Sequence, residues 1–171
     1  MKRNQTLHET LIPLLVEGLG AKTYLELGTH ENETIGKVRC ERRFGVDIYA
    51  KPAQDMYFPD GGMAIFKMTT QDFIRDIAAK FAPYDFVFID ADHSAEAVRA
   101  DFGGIWPFVS PEGIVCLHDT NPGTIHDTDP GLCGDSWRFA RRLSVDFEAV
   151  TLPYHPGLTI IRKRESWGPQ T

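Results

Sequence analysis

The chain has 171 residues, 42% of them hydrophobic and 25% charged, enough to bury one full core without disulfides and too few for a second domain, so residues 1–171 are expected to form a single domain. A formal charge of -6 at pH 7 repels phosphate backbones and argues against a nucleic-acid partner. The three cysteines, Cys40, Cys116 and Cys133, form no C-x-x-C pair, and no run approaches the roughly 18 apolar residues of a membrane span, so a cytoplasmic protein with reduced thiols and no membrane partner is expected.

In chain order, Leu7, Leu11, Leu14, Leu15 and Leu19 recur at helical spacing, with Gly18 and Gly20 as a stop, predicting a helix over about 6–18. Pro13 should kink or divide it. This amphipathic opening lacks the uninterrupted apolar stretch of a signal peptide. Short apolar runs follow at 24–27, 44–48, 63–66, 86–89 and 114–117. They lack polar alternation, as strands covered on both faces of a parallel sheet do. Stretches of helical length lie between them at 32–42, 70–80 and 94–106, so the expectation is a doubly wound, mostly parallel α/β fold.

The polar, glycine-rich run 121–134 reads as a lid or disorder, and its His126, Asp127 and Asp129 as solvated residues. Trp137, Ala140, Arg141 and Leu143 suggest one more helix, with Trp137 read as part of its buried stripe and stacking on a substrate ring as the competing role. Strands at 147–152 and 158–161 are joined by a turn too short for a crossover, so a C-terminal antiparallel hairpin completes seven strands. The tail 165–171 is expected to fray.

Glu26, Asp47, Asp90 and Asp119 each fall at or near the end of a proposed parallel strand. Ligands of open parallel sheets bind at that edge. Single acids there are often helix caps, but several together repel unless a cation, or a ligand rich in hydroxyl and amino groups, offsets them. The first loop, from Glu26 to Thr34, has the one glycine Gly28 and the acids Glu31 and Glu33. A dinucleotide pyrophosphate needs a G-x-G-x-x-G loop without such charges, so NAD fits poorly. S-adenosylmethionine, with a sulfonium, an amino group and ribose hydroxyls, suits Glu26 and Asp47 better.

The segments Tyr24-Leu-Glu-Leu-Gly-Thr29, Gly45-Val-Asp47, Ile89-Asp-Ala-Asp-His-Ser94 and Pro111-Glu-Gly-Ile-Val-Cys-Leu-His-Asp-Thr120 together resemble the class I S-adenosylmethionine-dependent methyltransferases. The likeness is greatest to a small bacterial group related to metal-dependent sugar and catechol O-methyltransferases, and it covers roughly residues 22–121. It implies a Rossmann-like methyltransferase fold and O-methylation of a small-molecule acceptor. Gly28 and Thr29 would lie against the methionine moiety, Asp47 would hold the ribose and Asp72 would face the adenine; Asp90 would border the cofactor. The family usually has glycine where this chain has Asn32 or Glu33, a change that Asn accommodates by adopting a left-handed backbone.

The resemblance further implies a divalent metal on Asp90 and Asp119, two hard oxygen ligands suited to Mg²⁺. His118 stands where several relatives have a second acid, and as a ligand it would favour Mn²⁺, Zn²⁺ or Fe²⁺. His93, three residues past Asp90, is read as a general base because its intrinsic pKa is near neutral; the competing role is a helix cap beside Ser94. An open pocket this small is compatible with completion by a second subunit in a homodimer. A protein that binds the nucleoside without turnover is the rival reading, and the missing glycines are its support.

Overall fold

The computed structural model describes residues 6–50 and 62–164. The tail 165–171 read from the sequence lies outside the described residues. Seven strands, β1 (Thr23–Leu27), β2 (Arg42–Val46), β3 (Gly62–Phe66), β4 (Tyr84–Ile89), β5 (Val109–His118), β6 (Glu148–Leu152) and β7 (Leu158–Arg162), form one sheet in the order β3-β2-β1-β4-β5-β7-β6. The first five are parallel, and β7 runs antiparallel to both β5 and β6. This is the Rossmann-like methyltransferase fold with its C-terminal antiparallel hairpin. The chain winds outward from β1 to β3, then returns to β4 on the other side of β1. That reversal opens a crevice at the carboxyl ends of β1 and β4.

The apolar runs have a hidden period of two. In β4, Val87 and Ile89 join one buried cluster with Phe73 and Ala78, Val98, Phe102 and Ile105, and Leu143. These come from the helices α2 (Thr70–Asp76), α3 (Ala78–Phe81), α4 (Ala95–Ile105) and α5 (Ser136–Asp146). Phe86 and Phe88 face the other way, onto Ile12 and Val16 of α1 (Leu7–Gly18) and onto Ile35 and Val38. Each such side chain contributes about 1.5–3 kcal/mol through burial, so both sheet faces are committed to core and only the strand ends are left for chemistry.

Three expectations change. Pro13 lies inside a single unbroken α1; it leaves the helix in one piece because Ile12 and Val16, on either side, are fully buried. Residues 32–41 hold no helix: 32–37 are turns, 38–41 are irregular, and Arg42 already opens β2. Only Ile35 and Val38 there enter the core, too short a stripe to stabilise a helix, and Asn32 takes the left-handed conformation (φ 65°). Run 121–134 is ordered and tied to the domain at both ends: Asn121 N donates to Pro156 O, the Leu132 carbonyl meets His93 Nδ1, and Cys133 is buried, while the middle of the run is exposed.

Candidate active site

The strand-end residues converge on one cavity of about 740 Å³, a volume that suits a nucleoside-sized ligand. Glu26, Gly28, Thr29, Asp47, Asp90, His93, His118 and Asp119 all line it; Asp72 does not. Asp72 is instead the first-turn acid of α2, bonded by the Thr69 hydroxyl and paired with Arg75 Nη2 at 2.7 Å. From the turn assigned to adenine, Thr69, Thr70 and Gln71 do reach the cavity wall.

On the β1–β2 side, Asp47 accepts the backbone N–H groups of His30 (2.8 Å) and Tyr49 (2.7 Å), which fixes the two loops around it. Thr29 is buried, and its Oγ1 has no hydrogen-bond partner among the described residues. A buried hydroxyl without a partner costs free energy unless a ligand or water meets it. Glu26 is buried and accepts from Tyr24 Oη at 2.6 Å. Burial holds its carboxyl well above the usual carboxylate range, so a cationic group arriving beside it would favour its ionisation.

Gly28, which lines the cavity, also has a packing reason for its missing side chain. It sits at φ 91°, and a Cβ there would lie 2.1 Å from Asp90 O and 2.6 Å from Ala91 Cα. The glycine lets the β1 loop pack on the chain leaving β4, so its absent side chain serves the scaffold of the crevice directly.

On the β4–β5 side, Asp90, His93 and Asp119 bring one ligand atom each within 4.8 Å of one another. His93 Nε2 lies 3.2 Å from Asp119 Oδ2 and 3.8 Å from Asp90 Oδ1. Ser94 caps α4, accepting from Ala97 N, so His93 is free of that duty. Asp119 itself adopts φ 59°, a strained setting for a residue other than glycine, of the kind that gathers at functional sites. His118 Nδ1 faces both carboxylates, 3.1 Å from Asp90 and 3.3 Å from Asp119. Burial pulls the His118 pKa down, but the Asp90 charge and the hydrogen bonds to both acids outweigh it and raise it to about 10. For Asp90 burial works upward, and the His118 charge and hydrogen bond hold it below its ordinary value. His118 thus turns Nδ1 to both carboxylates as their hydrogen-bond donor.

His8 on α1 was not legible as a site residue. It lines the cavity, with its ring centroid 4.1 Å from that of His118. Burial first, and then the His118 charge, lower its pKa, so His8 is neutral at pH 7. Of the residues on the 121–134 run, His126 pairs with Asp129 at 3.1 Å and Asp127 with Thr124, away from the cavity. Trp137 lies under the guanidinium groups of Arg138 and Arg141, also outside it.

A parallel sheet that reverses between β1 and β4, with an acid-lined cavity at that point, defines the class I methyltransferase architecture. The family model of a methyltransferase domain matches residues 24–120, and the chain belongs to that family, the class I S-adenosylmethionine-dependent methyltransferases. Among solved structures it is similar to the O-methyltransferase from Bacillus cereus in complex with S-adenosylhomocysteine, at 19% identity and TM-score 0.69, covering 94% of this chain and 83% of that one. It is also similar to the O-methyltransferase TomG from Streptomyces achromogenes, involved in tomaymycin synthesis, at 17% identity and TM-score 0.63, covering 95% and 82%. The MycE methyltransferase of mycinamycin biosynthesis, in complex with Mg and S-adenosylhomocysteine, matches at 19% identity and TM-score 0.65, covering 93% of this chain; the chain spans about half (49%) of MycE. At these identities the likeness is one of fold. No curated protein sequence matches the chain.

Proposed function

We propose that this chain, acting as a single domain, transfers the methyl group of S-adenosylmethionine to a hydroxyl of a small molecule beside a divalent metal. The observation that carries the reading is the division of one cavity wall: Glu26, Thr29 and Asp47 on one side, Asp90, His118 and Asp119 on the other. Asp47 would take the ribose hydroxyls and Thr29 Oγ1 a polar group of the methionine end, while Glu26 would answer the amino group. Asp90 and Asp119 would hold the metal, which when bound lowers the pKa of an acceptor hydroxyl and orients it toward the methyl carbon.

Neutral His8 is the residue we assign to receive the hydroxyl proton. Thr6 Oγ1 donates to Glu9 Oε1 at 2.8 Å and so accepts from His8 Nε2 at 3.2 Å, leaving His8 Nδ1 with the lone pair. Transfer of labelled methyl from S-adenosylmethionine to a panel of catechols and sugars, with and without chelator, tests the reading. Turnover that requires added Mg²⁺ or Mn²⁺ is expected; undiminished turnover after chelation would remove the metal, and transfer to none of the hydroxyls would remove the acceptor class.

A further inference from the structure

The two histidines beside the acidic pair offer their nitrogens in opposite senses. His118 turns Nδ1 to the carboxylates, and its Nε2 is buried with no hydrogen-bond partner among the described residues. His93 does the reverse. Its Nδ1 meets the carbonyl oxygen of Leu132, an atom that can only accept, so Nδ1 must carry the proton. That turns the other nitrogen, Nε2, toward Asp119 at 3.2 Å and Asp90 at 3.8 Å. One nitrogen and two carboxylate oxygens thus converge within 4.8 Å of one another, the donor set and spacing that a divalent cation can occupy.

We infer that His93 is the nitrogen ligand of the metal, and that His118 is an outer partner that orients Asp90 and Asp119; the inference rests on the metal-dependent reading above. The surroundings of His93 fit a fixed ligand better than a mobile base. Its carbonyl accepts from Asp135 N (3.1 Å) and Ser136 N (2.9 Å). Gly134, at φ 56°, allows this approach, since a Cβ there would stand 2.4 Å from His93 O. Asp135 in turn accepts from Ala95 N at 2.6 Å. Backbone and ring of His93 are therefore both tied to the end of the 121–134 run, and the carbonyl behind Nδ1 fixes the tautomer, as it does for many metal-binding imidazoles. Two carboxylates and one imidazole suit Mn²⁺ or Fe²⁺ better than Mg²⁺.

The test is electron spin-echo spectroscopy of Mn²⁺ bound to the full chain in the presence of S-adenosylhomocysteine. Wild type and His118→Gln should both show ¹⁴N modulation from a directly bound imidazole. His93→Gln should lose it and bind Mn²⁺ roughly 10- to 100-fold more weakly, at least the penalty usual for an outer partner, while still binding S-adenosylhomocysteine. If His93→Gln does not fold, wild type and His118→Gln still decide. Modulation absent from wild type, or lost with His118 and kept without His93, overturns the assignment. Absence of any Mn²⁺ binding overturns the metal reading beneath it, and S-adenosylhomocysteine binding, measured separately, keeps the cofactor reading distinct from both.

Discussion

The two sides of the cavity are built on different principles. Around β1 and β2 the wall is a pair of loops clasped by one carboxylate, Asp47, through the amides of His30 and Tyr49, with Tyr49 82% exposed. Around β4 and β5 it is a cluster of ionisable groups: Asp90 and Asp119, the His118 imidazole between them, and His93 tied to the far loop. The first side can recognise a ligand through hydrogen bonds at small cost to the fold. The second holds its acids together only because charge is offset, so removal of one of its carboxylates should act first on metal binding.

Gly28 joins the two sides, and its substitution breaks the comparison most severely. Gly28→Val places a branched side chain on the Asp90–Ala91 backbone at a left-handed φ, and a loss of more than about 3 kcal/mol is expected from clash and strain together. Thermal and urea melts measure it. A Gly28→Val variant as stable as the parent would mean that the loops are not packed as described and would return Gly28 to a role in cofactor contact alone.

A smaller effect is expected at His8, which α1 brings to the acidic side. His8→Gln should lower turnover roughly 10²-fold, the lower end for a general base, while S-adenosylhomocysteine and Mn²⁺ still bind. Unchanged turnover would free His8 of the proton and leave it as a wall residue beside His118.

The smallest effect concerns the tie between α1 and the first side, Glu9 to Lys37 Nζ at 2.6 Å. Burial acts to raise the Glu9 pKa, but the hydrogen bonds from Lys37 and Thr6 prevail and lower it to about 2. A depressed carboxylate contributes stability that is complete above its unfolded value near 4.5 and is lost as pH falls toward 2. With Lys37 partly exposed, about 1 kcal/mol is at stake. Melting temperature followed from pH 6 to 2 should fall more steeply for the parent than for Glu9→Gln; parallel curves would show the pair to be idle.

The fold was legible where packing obeys local rules. Apolar runs marked all seven strands, although β5 begins at Val109, five residues before its apolar run, because Pro111, Glu112 and Gly113 conceal a strand that shifts register there against β4. The stretch between β1 and β2 reads as helix because its length suggests a crossover helix, while only two side chains, Ile35 and Val38, supply a buried stripe. The acids were legible because parallel strands deliver their ends to one edge. Less accessible were the relations that depend on tertiary distance: His93 and the Leu132 carbonyl are 39 residues apart, and His8 enters from a helix that precedes the sheet. Asp72 is assigned to the adenine by family resemblance; its turn does reach the cavity, but its own carboxylate is taken by Thr69 and Arg75, as a first-turn helix acid.

The division of the cavity is tested most directly by titrating two ligands into two variants. Asp47→Ala should lose S-adenosylhomocysteine affinity by about 1.5–3 kcal/mol, the worth of hydrogen bonds to a charged group, and keep Mn²⁺. Asp119→Asn should lose Mn²⁺ and keep S-adenosylhomocysteine. Calorimetry that shows this crossed pattern supports two separately built sides; loss of both ligands in each variant, or of neither, would contradict it.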